Sequence, residues 1–134
     1  MQNQIVVAGA LIAGDRLLVA QRARPPELAG RWELPGGKVA PGETEAAALA
    51  RELAEELGIE VSVGPRLAGD VALSDTTTLR AYLVTQTCAT TASAHDHRAV
   101  RWVAVAELAE LDWVPADRIW IPELTRLLSA DSVR

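Results

Sequence analysis

Seven residues between Gly37 and Gly58 have the types and spacing to hold a hard cation and act on what it carries: Gly37, Glu43, Arg51, Glu52, Glu55, Glu56 and Gly58. At roughly 5–10% usage per residue type, this pattern arises by chance with a probability on the order of 10⁻⁸ per start point. The run from Glu45 to Leu57 is rich in Ala, Leu and Glu and free of Gly and Pro, which predicts a helix. On that helix Leu49, Leu53 and Leu57 form an i, i+4, i+8 apolar stripe. Glu52, Glu55 and Glu56 stand at i, i+3 and i+4 and share a patch roughly 100° away. Like charges at these spacings repel, so a bound cation is expected among them. Carboxylate oxygens suit Mg²⁺, or Mn²⁺, and Mg²⁺ takes one or two carboxylates together with waters and substrate phosphates. Arg51 stands four residues before Glu55 and is placed to orient that carboxylate.

The elements that must carry this patch follow from the surrounding sequence. Gly36 and Gly37 read as a backbone turn, stiffened at its entry by Pro35, that lets main-chain groups approach a ligand. Thr44 is the expected N-cap, with no Glu or Gln three residues on to complete a capping box. Glu43 lies where the helix dipole favours an acid, so a helix-start role competes with a place in the site. Upstream, Gln4 to Ala13 and Arg16 to Gln21 predict a β-hairpin turning at Gly14-Asp15, and Trp32 to Leu34 a short extended piece. Downstream, Val61 to Leu73, Thr77 to Thr87 and Ala99 to Val103 are strand candidates. Glu107 to Leu111 reads as a helical turn, and Ala116 to Leu128 as a closing helix that Pro122 kinks or restarts.

Composition predicts one domain over residues 1–134: 49% of the residues are hydrophobic and 23% charged. No 18-residue apolar run and no signal-like leader occur, so a cytoplasmic protein without membrane partners is expected, as a monomer or homodimer. A net charge of -5 argues against a nucleic-acid polymer as ligand and leaves a small metal-chelated nucleotide compatible. The single cysteine, Cys88, reads as a small buried residue. The single lysine, Lys38, follows the two glycines; it either places a point charge near substrate phosphates or reflects an arginine-biased composition. Glu33 either orients substrate or pairs with an arginine. Trp32, Trp113, Trp120 and Tyr82 either stack on a base or belong to the core, Trp32 being favoured for contact because it adjoins the glycines.

The seven residues match the Nudix box, GX5EX7REUXEEXGU with U aliphatic, without a departure. Over nearly its whole length, including the WELPGGK lead-in and the Asp-His segment before Trp102, the chain resembles MutT-like Nudix hydrolases, which are nucleoside triphosphate pyrophosphatases. The resemblance implies an α/β fold, an α/β/α sandwich around a mixed β-sheet. It also implies a divalent cation held by Glu52, Glu55 and Glu56 with help from the Gly37 carbonyl, and attack of water on phosphorus. By the family's pattern Glu52 is the leading general base or water-orienting group, Glu55 and Glu56 are mainly ligands, and Arg51 supports them. Asp96, six residues before Trp102, takes the place of an additional ligand or base in similar enzymes, or is a solvated turn residue. No covalent intermediate is expected, because His95 and His97 have no nucleophile motif beside them. Arg22 ends the second strand where family members often place a phosphate contact; Arg24 and Arg31 could serve similarly.

For the base, Trp113-Val-Pro-Ala-Asp117-Arg118 resembles the stretch in which MutT-like enzymes use an asparagine, at the place of Asp117, to read oxidised guanine. An ionised carboxylate only accepts hydrogen bonds, which suits the cytosine amine, although guanine N1 and N2 could also donate to it. Similarity in VAQR, PPELAGRWELPGGK, the TTTLRAY run and DWVPADR is to the subgroup acting on CTP and dCTP, including 5-methyl forms. An enzyme cleansing oxidised dGTP, or one cleaving another nucleoside diphosphate compound, is the alternative.

Overall fold

Strands β1 (Gln4–Ala13) and β2 (Arg16–Gln21) form the expected hairpin, and its turn is possible because Gly14 takes a φ of 59°. The structure, a computed structural model, describes residues 3–95 and 97–132. The hairpin stays paired only near the turn, at Ile12↔Leu17 and Ala13↔Arg16, after which β2 splays away from β1. The space so opened along β1 is filled by β4 (Gly36–Lys38), which pairs antiparallel with Val6 to Ala8. The two glycines are therefore strand residues, and the turn expected there is corrected. What they supply is close approach: a Cβ on Gly36 would lie 1.8 Å from the Val7 carbonyl oxygen, and one on Gly37 2.3 Å from the Glu52 carboxyl carbon.

The remaining strands are β3 (Trp32–Glu33), β5 (Val61–Arg66), β6 (Val71–Ser74), β7 (Thr77–Gln86) and β8 (Ala99–Ala104). They complete a mixed sheet of order β3-β2-β1-β7-β5, with β4 on β1, β6 on β7 and β8 on β2. The parallel pair is β1 with β7, in register from Gln4↔Thr77 to Leu11↔Val84; the other strand pairs run antiparallel. The stretch read as one strand from Val61 to Leu73 is two. Pairing shifts register between Val63 and Arg66, where Pro65 has no N–H to give, and Gly69 turns at φ 87°. β7 ends at Gln86, so Cys88 lies beyond the strand and is exposed, not buried as expected.

Helix α1 (Glu45–Leu57) lays Ala48, Leu49, Leu53 and Leu57 on one face of the sheet, against Val7, Leu11, Leu18 and Val84. Thr44 caps it by accepting the Ala47 N–H, and Gly58 closes it at φ 68°. On the opposite face Trp113, Trp120, Leu124 and Leu128 pack against Ala10, Leu17, Val19 and Ala81. Trp120 comes from a 3-10 segment (Pro115–Trp120) that follows Trp113, and Leu124 and Leu128 come from helix α2 (Ile121–Ser132), so the closing helix begins later than expected. Pro122 falls in its first turn, where the missing N–H costs nothing. The result is the α/β/α sandwich with a mixed sheet.

Replacing Gly36 by Ala should drive a methyl into the β1 backbone and lower unfolding free energy by about 3 kcal/mol, the upper end for overpacking. Denaturant melts check this; Gly42→Ala, with open space around it but a positive φ, should cost less.

Candidate active site

The seven-residue pattern becomes a rim where α1 crosses β4. Arg51 is its organiser. Its guanidinium grips both oxygens of Glu43, at 2.7 and 2.9 Å, and reaches Glu52 at 3.2 Å, the Lys38 carbonyl at 3.2 Å and Glu55 at 3.4 Å. The Glu55 contact expected from spacing exists, but Glu43 holds the arginine more closely. Glu43 also accepts the Ala40 N–H, and the Arg51 hydrogen bond, ahead of that one, pulls its carboxyl down to about 2. Glu43 thus serves the helix-start loop and the acidic rim together. The absent Gly37 side chain lets the Glu52 carboxylate lie directly on the β4 backbone.

Among the described residues, no three acidic, histidine or cysteine side chains converge into a ready-made metal cage. Glu52 and Glu55 lean instead on Arg51, the cation already present. The donor set still fits Mg²⁺ or Mn²⁺: it is all oxygen, it is crowded with negative charge, and Gly37 leaves a cradle beside Glu52. Mg²⁺ completes its shell with water and substrate phosphates, so one or two carboxylates suffice.

Beside the rim opens a cleft of about 670 Å³, within the usual range for a small-molecule site. Gly37, Lys38 and Glu56 form its border with the rim, and Arg22, Arg24, Glu33, His97 and Asp117 supply further polar groups. Leu28, Leu73, Leu79, Val114 and Pro115 supply apolar wall. Trp32 is not part of the lining; its ring packs 5.8 Å from the Arg101 guanidinium. Trp113 and Trp120 are fully buried with their indole N–H groups donating to Leu108 and Ala68 carbonyls, and the Tyr82 hydroxyl donates to Glu45. Arg31 also lies outside the lining. Asp96 falls outside the described residues.

Glu33 is held from two sides. Arg22 donates to Oε1 at 2.9 Å, and His97 meets Oε2 at 2.8 Å. The pairing with an arginine is therefore present, and Glu33 also lines the cleft. His97 was not singled out from the sequence, yet its side chain is only 8% exposed. Burial opposes its protonation, but the Glu33 hydrogen bond and the charges of Glu33 and Glu56 outweigh this and raise its pKa. No local signal could have identified it, because its partner lies 64 residues away. His95 does something else: its Nδ1 meets the Glu55 carbonyl at 2.8 Å and its backbone N–H donates to Glu56 O, closing the end of α1.

Asp117 is the one buried polar residue among the described residues, 3% exposed, and its Oδ2 accepts the Leu34 N–H at 2.8 Å. Burial, aided by the Glu33 charge and opposed by the Leu34 hydrogen bond and Arg22, raises its carboxyl from 3.8 to about 7. The folded protein therefore keeps a proton that the unfolded chain gives up, and stability contributed by the neutral acid is lost as pH rises from about 4 to about 7. Asp117→Asn keeps an acceptor for Leu34 without the ionisation. Its melting temperature should match wild type near pH 4 and exceed it near pH 8 by the equivalent of a few kcal/mol. Equal melting curves across that range would refute the buried-acid assignment.

Comparison with known proteins places this geometry. A NUDIX domain matches residues 3–124. The chain is 64% identical, over 98% of its length and 95% of the relative's, to a Mycobacterium tuberculosis protein provisionally named 8-oxo-dGTP diphosphatase 2. It is 38% identical to the CTP pyrophosphohydrolase of Escherichia coli, covering 98% of this chain and 97% of that one. The solution structure of the E. coli ORF135 protein superposes with a TM-score of 0.76 at 34% identity, covering 100% of this chain and 94% of that one. The chain belongs to the Nudix family and is a hydrolase of phosphoric anhydrides.

Proposed function

We propose that residues 1–134 act as one Nudix domain that hydrolyses a nucleoside triphosphate to the monophosphate and pyrophosphate, with Mg²⁺, or Mn²⁺, as cofactor. The observation that carries the reading is the junction of the acidic rim with a nucleotide-sized cleft, Gly37 and Glu56 belonging to both. Glu52, Glu55 and Glu56, with the Gly37 carbonyl, would hold the cation. Bound there, it would neutralise polyphosphate charge and acidify a coordinated water.

The chain's own residues divide the remaining work. Glu52, laid on β4 and touched by Arg51, is the group assigned to take the proton from attacking water. Arg51 positions it and Glu55. Lys38 and Arg24 are exposed cations at the cleft, and Arg22, tied to Glu33, adds a third to receive phosphates. Glu33 and Asp117 face the base, and the aliphatic wall packs on its ring, since the described lining offers no indole or phenol. The base assigned first is oxidised guanine, supported by the 64% identical relative; CTP or dCTP, including 5-methyl forms, is supported by the 38% identical one. The cytidine expectation rests on similarity to the CTP and dCTP subgroup; only the argument from an ionised Asp117 is weakened by its burial.

A screen of pyrophosphate release over unmodified, methylated and oxidised nucleoside triphosphates with Mg²⁺ tests the reading. One of these two classes should be turned over well above the rest, chelation should abolish turnover, and Glu52→Gln should lower kcat by about 10²–10⁴-fold in a folded protein. Undiminished turnover after chelation, or in Glu52→Gln, would contradict it.

A further inference from the structure

We propose that His97 is a positioning residue: it pins the second oxygen of Glu33, so that this carboxylate stands in its nucleotide-binding orientation before the nucleotide arrives. This rests on the nucleotide reading above and adds the residue on which Glu33 depends. A ring nitrogen 2.8 Å from a carboxylate oxygen must carry the hydrogen between them, so Nε2–H donates to Oε2 whether or not the ring is charged. The other nitrogen, Nδ1, is buried and has no hydrogen-bond partner among the described residues. One nitrogen is spent on Glu33 and the other is closed to solvent, so neither is offered to a ligand even though His97 lines the cleft. What the ring does for the nucleotide therefore passes through Glu33. An orphaned buried nitrogen is also a cost that a purely structural residue would avoid, since an aliphatic side chain would fill the space without it.

Glu33 needs a second anchor because the first is incomplete. Its backbone belongs to a strand of two residues, β3, and its side chain has several torsions to fix before it can hold a ligand. Arg22 meets Oε1 through one guanidinium nitrogen at 2.9 Å, while Nε of the same side chain donates to the Arg24 carbonyl at 3.0 Å. A single contact of that kind holds one oxygen and leaves the carboxylate free to swing about it. The His97 contact with the other oxygen removes that freedom. The imidazole is itself delivered by a fixed backbone. On one side the His95 N–H donates to the Glu56 carbonyl at 3.1 Å, and on the other the Arg98 N–H donates to the Gln21 carbonyl at 2.8 Å. The ends of α1 and β2 thus set where the ring stands, and with 8% of its side chain exposed it has little room to turn. Ordering a glutamate in the free protein spares the bound nucleotide that entropy, so the gain falls on binding and not on the chemical step.

The test measures kcat and KM with Mg²⁺ for 8-oxo-dGTP and for dCTP in wild type, His97→Gln, His97→Asn and His97→Leu. A glutamine brings its amide N–H to the position of imidazole Nε2, an asparagine to that of Nδ1. For the preferred nucleotide, KM should rise about twofold to tenfold in His97→Leu and His97→Asn, since one more side chain must be ordered on binding, with kcat little changed. His97→Gln should restore the wild-type KM. In a Glu33→Ala background, adding His97→Leu should leave KM where Glu33→Ala put it, because the residue acts only through the one already removed. An unchanged KM in an active His97→Leu, a loss confined to kcat, no rescue by glutamine, or an undiminished effect in the absence of Glu33 overturns the inference. A measurement on wild type serves even if the variants do not fold. With ¹⁵N-labelled histidine, the Nε2 proton of His97 should exchange slowly with solvent, and should still do so when the monophosphate of the preferred nucleotide saturates the protein. Loss of that protection in either state overturns the inference. A protein that releases pyrophosphate from no nucleotide overturns the function itself, a failure distinct from an unmoved KM in an active enzyme.

Discussion

The contact on which the site depends is the approach of the β4 backbone to β1 on one side and to the Glu52 carboxylate on the other. Gly36 has its absent Cβ 1.8 Å from the Val7 carbonyl oxygen, and Gly37 has its own 2.3 Å from the Glu52 carboxyl carbon. Two adjacent residues without side chains therefore set how closely α1 sits over the sheet, and so where the acidic rim stands relative to the cleft. Leu49, Leu53 and Leu57 supply the apolar burial that holds the helix down. Burial alone would tolerate a small shift along the sheet; the glycine contact does not.

Electrostatic discomfort is concentrated where chemistry is expected. The last turn of α1 carries Glu55 and Glu56 and no basic residue, the reverse of what the helix dipole favours. Arg51 and the His95 contacts at the helix end offset part of this. Asp117 adds a second discomfort, a carboxyl kept from water in the same cleft as Glu33. A core built for stability alone would use an apolar residue or an amide there, so both placements fit a protein that concedes stability to binding.

Much of this arrangement could be read before the fold was seen, and the limits follow from distance along the chain. The α1 stripe, the Thr44 cap, the Gly14-Asp15 turn and the box glutamates are local patterns, each expressed within a few helical turns or one hairpin. β4 escaped because a two-glycine strand has no alternation to detect; its identity comes from the gap left by the splayed hairpin. The Glu33–His97 pair escaped because no spacing rule spans 64 residues. The tryptophans escaped for a third reason: nothing in composition tells a ring that lines a cleft from one that fills a core, and Trp113 and Trp120 fill the core. Asp117 was recognised by position, but its protonation depends on burial, which only the packed structure reveals.

The parallel register of β1 with β7 bears on how the chain comes into being. Each β1 residue from Gln4 to Leu11 finds its partner roughly 70 positions later. On the ribosome, β1 must therefore wait through the making of the hairpin, β4, α1, β5 and β6 before its central neighbour emerges. Meanwhile its apolar run, Ile5 to Ile12, has an open flank at the point of greatest aggregation hazard. Early pairing with β2 and β4 and early docking of α1 are the local events able to shield it. The glycine contact that sets the rim would thus also guard the nascent chain, and folding should be paced by long-range closure of this one ladder.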